Sequence, residues 1–314
     1  VAATQTRLPL VLAEVEVAAV ERLSPAFVRV WLAGPAVGDI GVDGPFLDQR
    51  IKIVFPGAAG VPRLDQLATA ADDGWYAAWL ALPAAERGHM RTYTVRALEG
   101  SGPDARLVVD VVVHEGAPAD LGPGCRWAQQ ASPGDRLLVV APRRGVPFGG
   151  IEWNPGRAGR VLLVGDETAA PAIASIVESA PLGTAGTAYI EVPTSADVLD
   201  VRTPPGLRLV WLPRNGVRHG ERAMAAVSAL FGMPVAPGLA DDLVADPDLW
   251  ETPGFSSSGE PVEAGEPDQG LYAWVAGESG MVTALRRLLV RDVGMPRRQV
   301  AFMGYWRHGV AMRG

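Results

Sequence analysis

The chain has one cysteine, Cys125, in 314 residues. That excludes an intrachain disulfide, a four-cysteine iron–sulfur cluster and a multi-cysteine zinc site. Histidine is scarce as well. His89, His114, His219 and His308 do not pair at short ligand spacing, and H-E-x-x-H is absent, so no metal site is expected. No apolar run approaches the roughly 18 residues that suggest a membrane span. The first residues lack the ordered basic, apolar and small-residue parts of a secretory signal. A chain written from Val1 says nothing of what precedes it. A strong basic excess is missing too, because the net charge is −7, which argues against a general nucleic-acid binder. The expectation is a cytoplasmic monomer with neither a membrane nor a nucleic-acid partner. Redox chemistry in such a chain would have to run on a bound organic cofactor.

What is present suits a globular protein with a sizeable core: 48% hydrophobic and 20% charged residues, at a length that suggests two domains. Nine acidic residues and no Lys or Arg fall between positions 236 and 270. The acidity therefore belongs mainly to one segment, and the remainder is slightly basic.

The first half reads as strands at residues 11–20, 27–32, 49–55, 91–96, 106–114 and 136–140. These branched or aromatic runs, separated by Gly, Pro and Asp, suggest an antiparallel barrel. Residues 64–87 read as a short helix or a loop. The character changes near 156–159. A buried parallel strand is expected at 160–165, then a helix with Ile173, Ile176, Val177 and Ala180 on one face. Asp166 or Thr168 would cap it, with Pro171 in its first turn. Further strands are expected at 187–192, 207–212, 271–276 and 299–303, with helices at 218–230 and 281–290. Such alternation predicts a parallel α/β sheet. Residues 234–270 read as a long mobile loop.

Several strings could carry chemistry. In Arg91-Thr92-Tyr93-Thr94-Val95-Arg96 a strand would place Arg91, Tyr93 and Val95 on one face and Thr92, Thr94 and Arg96 on the other. That suits the wall of a flat, phosphorylated cofactor, or an ordinary exposed strand. His114 closes a strand. It precedes Gly122-Pro123-Gly124-Cys125-Arg126-Trp127-Ala128, where glycines and a helix start could admit phosphate. Trp127 could stack on adenine or pack on the core. Gly165-Asp166-Glu167-Thr168 lies at a strand's carboxyl end but is not G-x-G-x-x-G. Its two carboxylates would repel a pyrophosphate, which disfavours a resident NAD. A transient nicotinamide, bonds from Asp166 and Thr168 to a flavin, or simple capping remain. Gly277-Glu278-Ser279-Gly280-Met281 forms a second strand–turn–helix corner. Gly304-Tyr305-Trp306-Arg307-His308-Gly309 follows the last strand; its aromatics could cover a cofactor or plug the core.

Taken in order, R-T-Y-T-V-R, V-V-V-H with G-P-G-C-R-W-A, G-D-E-T-A-A-P-A-I, W-V-A-G-E-S and G-Y-W-R-H-G resemble the siderophore-interacting protein family. These are flavin-dependent ferric-siderophore reductases within the ferredoxin–NADP reductase-like superfamily. The resemblance covers nearly the whole chain. It implies an N-terminal antiparallel FAD-binding β-barrel (residues 1–156) and a C-terminal nicotinamide-binding-like parallel α/β domain (157–314). It assigns Arg91, Thr92, Tyr93, Thr94, His114, Gly124, Trp127 and Ala128 to the FAD site, with Asp166, Thr168, Ala169, Tyr305 and Trp306 from the second domain. Two departures stand out: Cys125 where the family often has a small residue, and the length and acidity of residues 234–270.

The implied activity is reduction of Fe(III)-siderophore to release Fe(II), with electrons from NADH, NADPH or reduced ferredoxin. Hard oxygen ligands hold Fe(III) far better than Fe(II), so one electron loosens the chelate. Ferric siderophores are often anionic, and Arg50, Lys52 and Arg307 are the expected substrate contacts. The rivals are a general flavin or electron-transfer reductase and a non-enzymatic siderophore carrier.

Overall fold

A computed structural model describes residues 9–67, 74–114, 121–234, 249–253, 255–256 and 269–309. The chain divides into two compact units. Unit 1 is built on Val1–Leu23 and Phe27–Ile151, unit 2 on Ser24–Ala26 and Glu152–Arg313.

Unit 1 contains β1 (Leu10–Arg22), β2 (Phe27–Ala33), β3 (Arg50–Phe55), α1 (Leu64–Leu67), α2 (Gly74–Ala81), α3 (Ala84–Arg87), β4 (His89–Thr94), β5 (Ala97–Glu99), β6 (Arg106–Val112), α4 (Pro123–Gln130) and β7 (Arg136–Pro142). The strands form one antiparallel sheet in the order β4-β3-β7-β1-β2-β6-β5. Its two end strands are consecutive in sequence, so the sheet curls back on itself. Val95 N–H donates to Gln49 O on the β3 side, and Arg96 N–H donates to Val108 O on β6, both at 2.9 Å.

The barrel interior follows from period-2 alternation. Val11, Ala13, Val15 and Val17 of β1 meet Val28, Val30 and Leu32 of β2, Ile51, Ile53 and Phe55 of β3, and Leu107, Val109 and Val111 of β6. Burying each such large aliphatic contributes about 1.5–3 kcal/mol. The outward residues Leu12, Val54, Met90 and Leu138 would face water, but α1 and α2 cover them with Leu67 and Trp79. Trp79 is satisfied there by donating its indole N–H to Arg87 O at 2.8 Å. The described residues of 64–87 thus hold three short helices, where a short helix or a loop is expected from sequence.

Unit 2 contains β8 (Arg160–Gly165), α5 (Ala170–Ser179), β9 (Gly186–Val192), β10 (Leu207–Pro213), α6 (Glu221–Leu230), β11 (Trp250–Thr252), β12 (Phe255–Ser256), β13 (Leu271–Glu278), α7 (Ser279–Arg286) and β14 (Val300–Trp306). The sheet runs β10-β9-β8-β13-β14-β11-β12. The first five strands are parallel, and β11 and β12 are antiparallel additions. The carboxyl ends of β8, β9, β10, β13 and β14 therefore share one edge. The α6 and α7 helices share a core with β8, β13 and β14 through Val227, Leu285, Val164, Val275 and Phe302.

Four expectations shift. The last strand continues past Met303, because pairing with β13 runs on through a bulge that sets Glu278 opposite Trp306. Tyr305 and Trp306 therefore sit in the strand, not after it. The helix expected at 281–290 begins at Ser279 and loosens into a π-helical stretch, Arg287–Asp292. The strand before His114 ends at Val112. Within 234–270, β11 and β12 form a hairpin; Glu251 (6% exposed) binds Arg286 of α7 at 2.7 Å and 3.0 Å. Most of the acidic stretch, and with it the expected mobile loop, lies outside the described residues.

Candidate cofactor and substrate sites

In unit 1, β4 carries Arg91, Thr92, Tyr93 and Thr94. The Tyr93 ring meets Phe55 edge-on, with centroids 5.8 Å apart at 76°, and Phe55 meets Trp127 at 5.1 Å. These three rings join strands β3 and β4 to α4. The Tyr93 hydroxyl lies against the start of α4: a Cβ on Gly124 would fall 2.1 Å from it. Only glycine allows that approach. Burial pushes the Tyr93 phenol pKa up, against the pull of Arg91, so the hydroxyl stays protonated. Ala128 is buried, and Trp127 packs partly on the barrel core.

Cys125 has a local structural task. Its Sγ accepts the His114 N–H at 3.2 Å, and Gln129 Nε2 donates to His114 O at 3.3 Å. The strand exit at His114 is thereby tied to α4. Burial raises the thiol pKa, which makes Cys125 a packing group rather than a nucleophile.

Cations gather around this helix start. Arg91 donates to Met90 O at 2.7 Å and Arg126 to Leu121 O at 2.6 Å. Desolvation lowers the Arg91 pKa, and Arg126 lowers it further. His89 is lowered by partial burial and then by Arg91, Arg126 and Arg87. Three guanidinium groups thus lie within electrostatic reach of His89, and they favour its neutral form. The α4 N-cap is Gly122, which supplies no side-chain cap, and the space about its missing Cβ is open. Free helix-start N–H groups beside guanidinium forks suit a diphosphate. By this donor set the residues fit the phosphate part of FAD, and the Tyr93–Phe55–Trp127 cluster supplies apolar ring surface beside it.

On the adjoining strand, Lys52 stands directly opposite Thr92 and donates to its Oγ1 at 2.7 Å. Desolvation and then Arg50 lower the Lys52 pKa. Lys52 is the only lysine in the sequence; every other basic side chain of the Lys/Arg class is arginine.

In unit 2, Asp166 is the hub of the sheet's carboxyl edge. It is fully buried. Its Oδ1 accepts Thr168 N–H at 2.8 Å and the Thr168 hydroxyl at 2.5 Å. Its Oδ2 accepts Glu278 N–H at 2.8 Å and the Trp306 indole N–H at 2.9 Å, with His219 Nε2 at 3.2 Å. The His219 approach is an ion-pair distance without hydrogen-bond alignment, since Nε2 finds no aligned partner. Burial would raise the Asp166 pKa, but His219, Thr168 and Trp306 outweigh it and hold it at about 2. Gly277, at φ +139°, lets the carboxylate in: a Cβ there would lie 2.7 Å from it. Ala169 is fully buried, packed where a Gly165 Cβ would be.

Glu167, 1% exposed, takes both arms of Arg214 at 2.7 Å and 2.9 Å. Asp166, Glu167 and His219 bring ligand atoms within 4.8 Å of one another. The same oxygens already serve Arg214, Thr168, Glu278 and Trp306, so a metal ion would have to displace a guanidinium and several N–H donors. Tyr305 stacks with Trp250 at 6.1 Å and 22°. Arg307 follows Trp306, half-buried.

The structure therefore gathers the unit 1 candidates around β4 and α4, and Asp166, Thr168, Ala169 and Trp306 around one edge of unit 2. Sequence reasoning passed over Phe55, Arg126, His219, Arg214 and Glu191. Only Arg126, inside a Gly-rich string, left a local signal; the others are brought in by strand order.

An antiparallel barrel and a parallel α/β unit make up the two-domain fold of the ferredoxin-reductase-like proteins. Two family descriptions match: "Siderophore-interacting FAD-binding domain" over residues 16–146 and "Siderophore-interacting protein" over residues 158–309. The chain belongs to the siderophore-interacting protein family. A siderophore utilization protein from T. fusca is 29% identical, with a TM-score of 0.65 over 96% of this chain and 95% of that one. The ferric vibriobactin reductase ViuB of Vibrio cholerae (serotype O1, strain ATCC 39315 / El Tor Inaba N16961) is 28% identical over 70% of this chain. The match spans 65% of that reductase's length. The ferredoxin reductase of carbazole 1,9a-dioxygenase shares the fold, at 18% identity and a TM-score of 0.54, over 95% of this chain and 68% of its own. Among the described residues no helix is long and apolar enough to cross a membrane.

Proposed function

We propose that this chain reduces ferric siderophores, passing electrons from NADH, NADPH or reduced ferredoxin through FAD and releasing Fe(II). The observation that carries the reading is the pair of guanidinium groups, Arg91 and Arg126, at the uncapped start of α4, inside the segment matched by the FAD-binding description. When bound, FAD accepts two electrons together and gives them up one at a time, as a single-electron acceptor such as Fe(III) requires.

Arg91, with Arg126, neutralises the diphosphate, and α4 presents its free N–H groups. Tyr93, held by Gly124 and Phe55, keeps a rigid ring and a protonated hydroxyl on the cofactor side of β4. Thr92, Thr94, His114, Trp127 and Ala128 complete the proposed unit 1 site. In unit 2 the proposed cofactor contacts are Thr168, Tyr305 and Trp306; buried Asp166 positions Thr168 and Trp306 through their hydrogen bonds, and Ala169 is buried beside it. Lys52, with Arg50 and Arg307, attracts the anionic ferric chelate. Lys52 presents a compact point charge that the surrounding arginines do not. Electron transfer to iron needs proximity rather than proton transfer, so no general acid is assigned.

The test is a visible spectrum of the purified chain, then anaerobic NADH or reduced ferredoxin, then a ferric siderophore with an Fe(II) trap. Flavin bands that bleach and return as trapped Fe(II) appears are expected. A colourless protein, or a reduced flavin that ferric chelates leave unoxidised, would end the proposal.

A further inference from the structure

Three helices of unit 2 start at the carboxyl edge of its parallel sheet; the starts of α6 and α7, and the turn that leads into α5, are occupied by the protein's own carboxylates. At the turn into α5, Asp166 accepts Thr168 N–H at 2.8 Å. At α6, Glu191 reaches from the end of β9 to accept Gly220 N–H at 2.6 Å and Ala223 N–H at 2.9 Å. At α7, Glu278 accepts Met281 N–H at 2.9 Å. Asp166 also takes the Glu278 N–H at 2.8 Å, which closes the corner between β13 and α7. Asp166 and Glu191 are fully buried.

These N–H groups are the ones a sheet of this type offers to the diphosphate of a dinucleotide. A diphosphate arriving here would meet negative charge in place of donors. Displacing a carboxylate would leave it buried and unpaired. The guanidinium that reaches these carboxylates is already committed. Arg214 is spent on Glu167 at 2.7 Å and on Glu191 at 3.4 Å. The start of α4 in unit 1 is the opposite case, with no side-chain cap and guanidinium groups close by. A helix start of this kind is uncapped in unit 1, whereas at α6 and α7 of unit 2 carboxylates take its N–H groups.

We propose that Asp166, Glu191 and Glu278 are donor-specificity residues. They close unit 2 to the diphosphate of a pyridine dinucleotide, so that any nicotinamide donor is recognised by its reduced ring and not by its phosphates. This rests on reading the chain as a flavin reductase. It has two consequences. ADP-ribose, the part of the dinucleotide without the nicotinamide, finds no site on the FAD-loaded chain. NADH, NADPH and reduced nicotinamide mononucleotide, where they react, do so at similar rates.

The experiment is calorimetric titration of the FAD-loaded chain with ADP-ribose, followed by anaerobic stopped-flow reduction with the three donors. The expected results are no saturable binding up to about 1 mM and reduction rate constants that agree within about threefold. Saturable ADP-ribose binding tighter than about 1 mM would overturn the proposal. So would a preference of tenfold or more, about 1.4 kcal/mol, for either dinucleotide over the mononucleotide. The functional reading fails separately: chemically reduced protein that cannot be reoxidised by a ferric siderophore sinks that reading, whatever the titration shows.

Discussion

Trp306 donates its indole N–H to Asp166 Oδ2 at 2.9 Å, across 140 positions of sequence. The two meet because β8, β13 and β14 are neighbours in a parallel sheet, so the end of β8 and the end of β14 reach the same edge. Asp166 is the shared acceptor for four N–H or O–H donors. An Asp166→Asn change turns one oxygen into a donor and leaves part of that set unsatisfied. We expect a loss of about 2–4 kcal/mol, read by urea unfolding at constant m-value. A loss under about 0.5 kcal/mol would show that the hub is not structural.

The ion pair between His219 and Asp166 gives unit 2 a defined pH response. Burial would lower the His219 pKa, but Asp166 and then Glu167 outweigh burial and the opposing Arg214, and raise it. The Trp306 ring also faces His219, with centroids 5.5 Å apart. A raised histidine pKa means stabilisation that is complete below the unfolded value of about 6.5 and fades as pH rises through the folded value. On the acid side Asp166, held at about 2, contributes stability that is complete above its unfolded value of 3.8 and is lost as pH falls through about 2. The Tm should therefore fall as pH rises above about 6.5, and His219→Gln should flatten that slope. Parallel slopes in the two proteins would remove His219 from this role.

The contact between Gly124 and Tyr93 predicts a steric coupling. Gly124→Ala places a methyl group on the Tyr93 hydroxyl and should cost about 1–3 kcal/mol, with weaker FAD retention. Adding Tyr93→Phe removes the clashing oxygen. The double variant should then recover at least about 0.5 kcal/mol relative to additivity. Strict additivity in a double-mutant cycle would count against the contact.

Arg91 donates only to a carbonyl among its described hydrogen bonds and is partly desolvated. If it holds a phosphate, Arg91→Ala should weaken FAD binding by about 1.5–3 kcal/mol, the range for bonds to charged groups. Thermal stability of the FAD-free protein should change little. Equilibrium dialysis of FAD settles it; full retention would move the phosphate site elsewhere.

For the substrate, Lys52→Ala and Arg307→Ala should each raise KM for an anionic ferric chelate by about three- to tenfold, with bound FAD unchanged. Lys52→Arg should recover only part of the effect, because a guanidinium is not a compact point charge. An unchanged KM would take both residues out of the site.

Much of the fold was legible along the chain. Alternation in Val11, Ala13, Val15 and Val17 marked an inward barrel face, and the apolar run of β8 marked a buried parallel strand. The end of β14 was not legible. Tyr305 and Trp306 look like a tail in sequence and become strand only through pairing with β13. The helices between β3 and β4 were obscured for a similar reason. The α2 helix is apolar nearly all round (Gly-Trp-Tyr-Ala-Ala-Trp-Leu-Ala), so periodicity gave no face, and packing on Val54 and Leu138 supplied one.

By itself the sequence determined that a multi-cysteine metal site is excluded, where the β-rich stretch gives way to strand–helix alternation, and which strings resemble those of a known family. Those properties depend on residue type and spacing, which are local. Tertiary structure alone decided that Asp166 serves Trp306 and His219, that Glu191 caps α6, and that Phe55 meets Tyr93 and Trp127. Each of these pairings joins residues from different strands or helices. Strand order and register place them within a few ångströms, and no spacing along the chain encodes that order.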